Sequence, residues 1–382
     1  MFRWYSEKTC WKKSEEGGLR WEIIESIWNQ STVKWHQVEI LAPQILDMDN
    51  AKIWRVKSNY ESVSAMTLAY QKCNCYEKIM KIQTTDVKIR AGEEVINARI
   101  YMPEKVRKCP VMIFYHGGAF SMNSIDVYEY VCRYMSWRGN IVIVSPDYHL
   151  APEYKFPKGL NEAYDTMLWT VDNISDYGGD ENNINVCGDS SGGNFAAVVS
   201  IMARDNHIPS INKQILFYPL TTNSEKEMTE SEKRYETGYF LEYNCQKDPM
   251  QCYFNAEEEK ENPLASPLLA KDLSRLPNTC VISAECDPLL DQGLMYAARL
   301  EDAGVEVEYH ILKGMVHGFL NWTYGESFEA MNYGQGSQQT VLHLLWFHPT
   351  RSDTIPNKNA PPDLLSLLEI LYDSAFYDNE YQ

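Results

Sequence analysis

The sequence predicts an α/β fold whose sheet is mainly parallel and wound on both sides. Five short apolar segments recur along the chain, at residues 111–115, 141–145, 184–187, 214–218 and 279–284. Continuous apolar strands are typical of strands buried on both faces. The stretches between these segments are long enough for the crossover connections that parallel strands require. A sixth segment, residues 305–309, alternates polar and apolar residues as a half-exposed strand does.

A hairpin is predicted before this series. Residues 86–89 and 95–101 alternate apolar and polar positions around Ala91-Gly92, which is typical of two antiparallel strands joined by a turn. We expect this hairpin to form an edge of the sheet.

Flanking segments indicate a helical cap. Trp21, Trp28 and Trp35 lie seven residues apart in a helix-compatible stretch and form one apolar stripe. The stripe predicts either a layer that packs on the main domain or a lid over a pocket. Residues 224–262, which are charged and rich in Tyr, interrupt the strand series and are interpreted as a second piece of the lid.

Three regions follow from this pattern. We expect a helical cap over residues 1–80, a catalytic domain over residues 81–333, and a C-terminal extension over residues 334–382. The extension contains a Pro-rich linker and a short helix at residues 364–372 that Asp363 would cap. Its role is left open by the sequence.

Composition narrows the possible partners. The 382-residue chain has 44% hydrophobic and 23% charged residues, which is typical of a globular enzyme, and no apolar run approaches the length of a membrane span. A net charge of −18 argues against nucleic acid or anionic membrane as a partner and favours small uncharged substrates.

The first residues contain no apolar leader, so a cytoplasmic location is expected. The ten cysteines lack C-x-x-C spacing, which favours reduced thiols over a zinc site.

The segment from Gly188 to Gly193 has the features of a nucleophile elbow. Ser190 follows the predicted strand at residues 184–187 and precedes a helix-forming run at residues 195–204. A serine on so sharp a turn adopts a strained backbone conformation, and the residues two positions away must be small. Gly188 and Gly192 meet this requirement. We therefore expect Ser190 to be a nucleophile.

A serine hydroxyl needs a base, and the base needs a group that fixes its tautomer. His317 follows a late strand and lies between Gly314 and Gly318. Asp287 and Asp291 both lie between serine and histidine in the chain. Because Pro288 favours an extended predecessor and a helix start, Asp287 is predicted on the loop at the strand end. Asp291 is predicted on the helix, as a solvated charge that complements its dipole.

Oxyanion stabilisation is predicted at the end of the first central strand. His116 opens a Gly-rich turn there and is expected to hold the loop in place. The backbone N–H groups of Gly117 and Gly118 would then point at a developing oxyanion.

Several motifs together resemble the hormone-sensitive-lipase family of α/β-hydrolases over about residues 80–325. They are His116-Gly117-Gly118-Ala119-Phe120, Asp147-Tyr-His-Leu-Ala-Pro-Glu153, Gly188-Asp189-Ser190-Ser191-Gly192-Gly193, Asp287-Pro-Leu and Gly314-Met-Val-His317-Gly-Phe. Two positions depart from the common pattern, Ala119 in place of a third glycine and Ser191 in place of alanine. Both residues are small and keep their backbone donors.

The resemblance implies an α/β-hydrolase fold and a carboxylesterase that acts on short acyl esters, similar to arylacetamide deacetylases and acetyl esterases. It implies a triad of Ser190, Asp287 and His317, with oxyanion donors at Gly117, Gly118 and Ser191 and with no metal or cofactor. Small esters are the expected partner, and a homodimer is an open possibility. Two alternatives remain: amide deacetylation by the same groups, and a non-catalytic relative that binds small molecules, against which His317 argues.

Overall fold

The computed structural model describes residues 63, 76–104, 106–208, 211–224, 228–239, 241 and 252–322. The predicted tryptophan stripe of the N-terminal cap and the C-terminal helix at residues 364–372 lie outside these residues. The predicted division into cap, catalytic domain and extension therefore stays a prediction.

The described residues form one eight-stranded sheet in the order β1-β2-β4-β3-β5-β6-β7-β8. The strands are β1 (Gln83–Ala91), β2 (Glu94–Met102), β3 (Cys109–Tyr115), β4 (Val142–Asp147), β5 (Gly179–Asp189), β6 (Lys213–Phe217), β7 (Asn278–Cys286) and β8 (Val307–Val316). β1 pairs antiparallel with β2, and β2 pairs antiparallel with β4. All other neighbours pair in parallel. The mainly parallel sheet and its hairpin edge are as the sequence predicts.

Strand β3 shows why the central strands are apolar throughout. Val111 and Ile113 contact the core on one face of the sheet. Met112 and Phe114 contact the core on the other face. Because successive side chains of a strand point to opposite faces, a strand covered on both sides has no solvent-facing position for polar residues.

Helices cover both faces. They are α1 (Tyr76–Ile79), α2 (Glu129–Gly139), α3 (Lys158–Asn173), α4 (Ser191–Asp205), α5 (Glu230–Arg234), α6 (Leu290–Asp302) and α7 (Phe319–Trp322). Buried residues of α3, α4 and α6 pack into the core on one face. Buried residues of α1, α2 and α7 pack on the other face. None of these described helices is long and apolar enough to cross a membrane.

The described parts of the 224–262 insertion contact the main domain at two places. Helix α5 begins with a capping box in which Thr229 and Glu232 satisfy each other's backbone N–H groups. The Ser231 hydroxyl donates a hydrogen bond to the Pro288 carbonyl at 2.7 Å. Tyr253 stacks on Phe120 with ring centroids 4.1 Å apart. Both ends of the insertion therefore lie against loops that follow sheet strands.

The sheet positions the candidate site by aligning strand ends. β3, β5, β6, β7 and β8 run in the same direction, so their carboxyl ends meet at one edge. The predicted site residues follow directly after these ends, His116 after β3, Ser190 after β5 and His317 after β8. Ligands of open α/β sheets bind at this edge.

Candidate active site

Ser190 lies on the sharp turn between β5 and α4. Its backbone has φ 54° and ψ −118°, a conformation that L-residues rarely adopt. A Cβ atom at Gly188 would lie 2.2 Å from the Gly192 carbonyl oxygen, and one at Gly192 would lie 2.0 Å from the Tyr115 carbonyl oxygen. The turn can therefore form only with glycine at both positions.

The three predicted catalytic side chains meet in a hydrogen-bonded chain. His317 Nε2 lies 3.0 Å from Ser190 Oγ. His317 Nδ1 lies 2.8 Å from Asp287 Oδ2. Asp287 is fully buried and His317 nearly so, while Ser190 is partly exposed. In this geometry Asp287 accepts the Nδ1 proton, so that Nε2 is left to accept the proton of the serine hydroxyl.

The two candidate acids occupy different places. The second oxygen of Asp287, Oδ1, accepts a hydrogen bond from Leu289 N–H at 2.8 Å, which fixes the carboxylate on the loop after β7. Asp291 lies in the first turn of α6, as predicted. It is not simply solvated, however, because its Oδ2 accepts a hydrogen bond from Ser231 N–H at 2.8 Å. Asp291 thus anchors α5 and lies outside the triad.

The structure corrects the assignment of Gly117 as an oxyanion donor. Its N–H group donates to Asp189 Oδ1 at 2.7 Å and is therefore not available to a substrate. A Cβ atom at Gly117 would lie 2.6 Å from Asp189 Oδ2, so glycine is required here for close approach. The sequence motif indicated the correct loop, but it could not show that a buried carboxylate takes the first N–H group.

Gly118 and Ser191 keep their predicted positions. Among the described residues, the structure gives no hydrogen-bond partner to the N–H group of Gly118 or of Ser191. The Ser191 hydroxyl accepts a hydrogen bond from Phe120 N–H at 3.3 Å, which ties the turn after β3 to the start of α4. Ser191, which stands where alanine is common in the family, thus adds a contact that alanine lacks.

His116 is buried inside the turn rather than exposed to substrate. Its ring stacks on Tyr148 with centroids 4.4 Å apart, and its Nδ1 lies 2.8 Å from the Gly117 carbonyl oxygen. Tyr148 also donates its hydroxyl to the His116 carbonyl. Burial lowers the pKa of His116 to about 4, so the ring is neutral near pH 7. These contacts support the predicted role of His116 in holding the loop.

Asp189 connects the loop after β3 with residues that the sequence did not single out. Besides Gly117 N–H, it accepts hydrogen bonds from the Tyr128 hydroxyl at 2.9 Å and the Tyr218 hydroxyl at 3.4 Å. Tyr218 also accepts a hydrogen bond from Leu320 N–H, and its ring lies 4.7 Å from that of His317. Burial raises the pKa of Asp189 to about 6. One carboxylate thus links the loop after β3 to the loop after β8.

Of the two tyrosines that bond to Asp189, only Tyr218 could have been found from the sequence. Tyr218 follows directly after β6 and ends a predicted strand, so its position at the carboxyl edge could have been found from the sequence. Tyr128 precedes α2 and carries no comparable signal. Two groups of described residues have the composition of a metal site, but neither includes a member of the triad.

The chain is similar to known α/β-hydrolases and esterases. A family model described as an alpha/beta hydrolase fold matches residues 112–321, more than half of the 382-residue chain. The chain belongs to the α/β-hydrolase family. This hydrolase is 38% identical over 239 residues to an arylesterase of Saccharolobus solfataricus, a match that covers 62% of this chain and 77% of the relative. It is 34% identical over 254 residues to carboxylesterase NlhH of Mycobacterium tuberculosis, covering 65% and 79% of the two chains.

Solved structures agree with this placement. A thermostable carboxylesterase cloned from a metagenomic library matches the hydrolase with a TM-score of 0.68 and 35% identity, over 74% of this chain and 93% of that one. An esterase of Pyrobaculum calidifontis matches with a TM-score of 0.68 and 32% identity, over 84% and 98% of the two chains. The predicted fold class and the resemblance to the hormone-sensitive-lipase family are confirmed.

Proposed function

We propose that this hydrolase cleaves small, uncharged carboxylic esters with short acyl groups through an acyl-enzyme at Ser190. The observation that carries the proposal is the unbroken chain of hydrogen bonds from Ser190 through His317 to Asp287, at 3.0 and 2.8 Å. A serine activated in this way performs acyl transfer.

The geometry supports a two-step reaction. His317 Nε2 takes the proton of Ser190 Oγ as the oxygen attacks the ester carbonyl, and Asp287 stabilises the resulting imidazolium. The N–H groups of Gly118 and Ser191 stabilise the oxyanion of the tetrahedral intermediate. His317 then donates the proton to the leaving alcohol. In the second step His317 activates a water molecule that attacks the acyl group and releases the acid.

Several features support the substrate class. The relatives named above are an arylesterase and carboxylesterases. A net charge of −18 disfavours anionic substrates. Tyr253 of the insertion stacks on Phe120, and both rings are buried, so the insertion packs on the turn after β3 through apolar side chains. A cytoplasmic location and a homodimeric assembly stay predictions.

The two alternatives use the same fold. Amide deacetylation requires the same triad and protonation of a poorer leaving group. A non-catalytic binding protein would not need Ser190 and His317 in hydrogen-bond contact, so the distance of 3.0 Å favours an enzyme.

Replacing the nucleophile tests the proposal. We expect Ser190→Ala to lower kcat on short nitrophenyl esters by about 10⁶ while the melting curve stays that of a folded protein. Ser200→Ala is the matched control, because Ser200 is a buried serine of α4 that bonds only within its helix. A serine-directed phosphonate should label Ser190 and fail to label His317→Ala. Near-normal turnover by Ser190→Ala would rule out the acyl-enzyme.

Substrate profiling distinguishes the alternatives. We expect kcat/KM to fall as the acyl chain of the nitrophenyl ester lengthens, and to be lower for an aryl acetamide than for the matching acetate ester. A higher value for the acetamide would favour the deacetylase. Failure of the phosphonate to label the wild-type protein would favour the binding protein.

A further inference from the structure

A cluster of three metal-ligating side chains lies on β7 and β8, apart from the triad. Cys280 Sγ, a carboxylate oxygen of Glu308 and an imidazole nitrogen of His310 lie within 4.8 Å of one another. Cys280 is directly opposite Glu308 in the parallel pairing of the two strands. Since residues two apart on a strand point to the same face, His310 lies beside Glu308 on that face. The sheet register alone therefore brings the three side chains together.

Two polar atoms of this cluster have no hydrogen-bond partner among the described residues. Glu308 Oε2 and His310 Nε2 are both buried as atoms and have no hydrogen bond. They lie 3.8 Å from each other, within the range of an ion pair but beyond that of a hydrogen bond. Most buried polar atoms in native proteins are satisfied by protein or by bound ligands, and an unsatisfied one needs an explanation. A cation between the two atoms would satisfy both.

We propose that Cys280, Glu308 and His310 bind a zinc ion. Sulfur, nitrogen and oxygen ligands of this kind are those that zinc prefers. Zn–S bonds of about 2.3 Å and Zn–N or Zn–O bonds of about 2.0–2.2 Å in a tetrahedron place ligand atoms roughly 3.3–3.7 Å apart. The three ligand atoms now lie within 4.8 Å of one another, so side-chain rotations would bring them to these separations when the ion binds. A water molecule takes the fourth position.

The total charge of the three ligands also suits a divalent ion. The bound cluster contains one thiolate, one carboxylate and one neutral imidazole, which together balance the charge of Zn²⁺. Binding requires that the Cys280 thiol lose its proton, which passes to solvent. C-x-x-C spacing could not have indicated this site, because its ligands come from two strands that are neighbours only in the folded sheet.

A second group of potential metal ligands is already paired with a cationic side chain. Glu94, His149 and Glu162 also lie within ligand distance of one another. Lys158, however, already lies 2.9 Å from Glu94 and 3.2 Å from Glu162. Its ammonium group offsets part of the charge of these carboxylates and occupies the place of a cation. Of the two described clusters, only the one on β7 and β8 therefore has room for a metal ion.

The position of the zinc ion determines whether it affects stability or catalysis. It would join β8 to β7, and β8 leads directly to His317. Val316 lies six positions after His310, so at about 3.3 Å per residue the ion lies roughly 20 Å from the end of the strand. Zinc should therefore raise the melting temperature and leave kcat on short esters within about twofold.

Cobalt provides a direct spectroscopic test. The full-length protein is stripped of metal with a chelator under reducing conditions and titrated with Co²⁺. We expect a thiolate-to-cobalt charge-transfer band in the near ultraviolet and d–d bands of tetrahedral intensity, both removed by one equivalent of Zn²⁺. The Cys280→Ala variant should lose the charge-transfer band. Cys132→Ala is the matched control, a buried thiol on α2 that should leave the spectrum unchanged.

The partly exposed ligands give a second measurement in case Cys280→Ala does not fold. Glu308→Gln and His310→Gln should each weaken Zn²⁺ binding by at least about 100-fold in a competition titration, with the melting curve of the metal-free protein nearly unchanged. Absence of the charge-transfer band in the wild-type protein would overturn the proposal. So would its persistence in Cys280→Ala, or unchanged Zn²⁺ affinity in the two other variants.

Discussion

At the scale of single residues, the site depends on a strained backbone that the surrounding structure holds in place. A non-glycine residue at φ 54° and ψ −118° costs on the order of 1–3 kcal/mol. Ser190 N–H donates to the Phe217 carbonyl at 2.9 Å. The Ser190 carbonyl accepts from Asn194 N–H at 3.1 Å and from Leu220 N–H at 3.1 Å. Strands and helix therefore fix both ends of the peptide unit and keep the hydroxyl directed at His317.

The two aspartates near Pro288 should respond differently to the same substitution. We expect Asp287→Asn to lower kcat by about 10⁴, because the amide no longer fixes the tautomer of His317. Asp291→Asn should leave kcat within about twofold, because the Asp291 carboxylate bonds to Ser231 N–H in the insertion, whereas His317 bonds to Asp287. Steady-state kinetics on a short nitrophenyl ester measures both effects. A larger loss for Asp291→Asn than for Asp287→Asn would contradict the assignment.

Asp189 should affect turnover through the oxyanion loop. In Asp189→Asn only one oxygen remains to accept the hydrogen bonds of Gly117 N–H and the two tyrosine hydroxyls. We expect the loop to shift and kcat to fall by about 10- to 100-fold, less than the 10²–10³ lost when an oxyanion donor is removed outright. KM should change little, because the loop acts on the transition state.

Tyr128→Phe is the control for this prediction. It removes one donor to Asp189 but leaves the Gly117 hydrogen bond intact. Its kcat should therefore fall less than that of Asp189→Asn. Equal losses in the two variants, or a change confined to KM, would show that Asp189 does not act through Gly117.

The residues of the site differ in how far the sequence reveals them. Ser190, Asp287 and His317 carry signals in their immediate neighbours, since glycine and proline constrain the local backbone wherever they occur. The bond from Gly117 to Asp189 joins two loops that are 72 positions apart. No local pattern encodes such a bond, because it exists only after β3 and β5 have paired.

At the scale of elements, hydrophobic patterning identified every strand of the sheet but not its ends. β5 begins at Gly179, five positions before the predicted start at residue 184, and Gly179 pairs with Cys109. β8 continues to Val316, beyond the predicted end at residue 309, and pairs along β7. Pairing with a neighbour extends a strand through polar residues. Apolar character marks only the part that is buried.

The five-residue helix α5 should stabilise the loop that carries Asp287, the proposed catalytic acid. Ser231→Ala removes the donor to the Pro288 carbonyl and the acceptor for Asp291 N–H, which lie 2.7 and 3.1 Å from Ser231 Oγ. We expect the free energy of unfolding to fall by about 1–3 kcal/mol, because these buried groups lose their partners. Asp287 keeps its bond to Leu289 N–H, so kcat should fall less than about tenfold.

Urea unfolding and ester kinetics check this expectation. The control is Glu230→Ala on the same helix, where an exposed side chain pairs with Lys233. That variant should leave the unfolding curve nearly unchanged. If Ser231→Ala were as stable as Glu230→Ala, the insertion would not support the acid loop.

At the scale of the whole molecule, two buried ionisable groups make the stability depend on pH in opposite directions. His116 has its pKa lowered from 6.5 to about 4 by burial. Asp189 has its pKa raised from 3.8 to about 6 by burial. Between about pH 4 and pH 6 the unfolded chain binds more protons at His116, whereas the folded chain binds more protons at Asp189. The contribution of His116 to stability is lost as pH falls, and that of Asp189 is lost as pH rises.

Each contribution is on the order of 3 kcal/mol across this window, and the two oppose each other in the wild-type protein. Replacing one of the two groups should remove its contribution to the pH dependence of stability. We expect the free energy of unfolding of His116→Gln, relative to wild type, to decrease from about pH 4 to pH 6, because the variant lacks the contribution of His116, which increases over this range. That of Asp189→Asn should increase over the same range. Urea unfolding of the three proteins at several pH values measures both slopes, and all other titrating groups cancel in the comparison. Parallel curves for the three proteins would mean that neither group is held away from its ordinary pKa by burial at the carboxyl edge of the sheet.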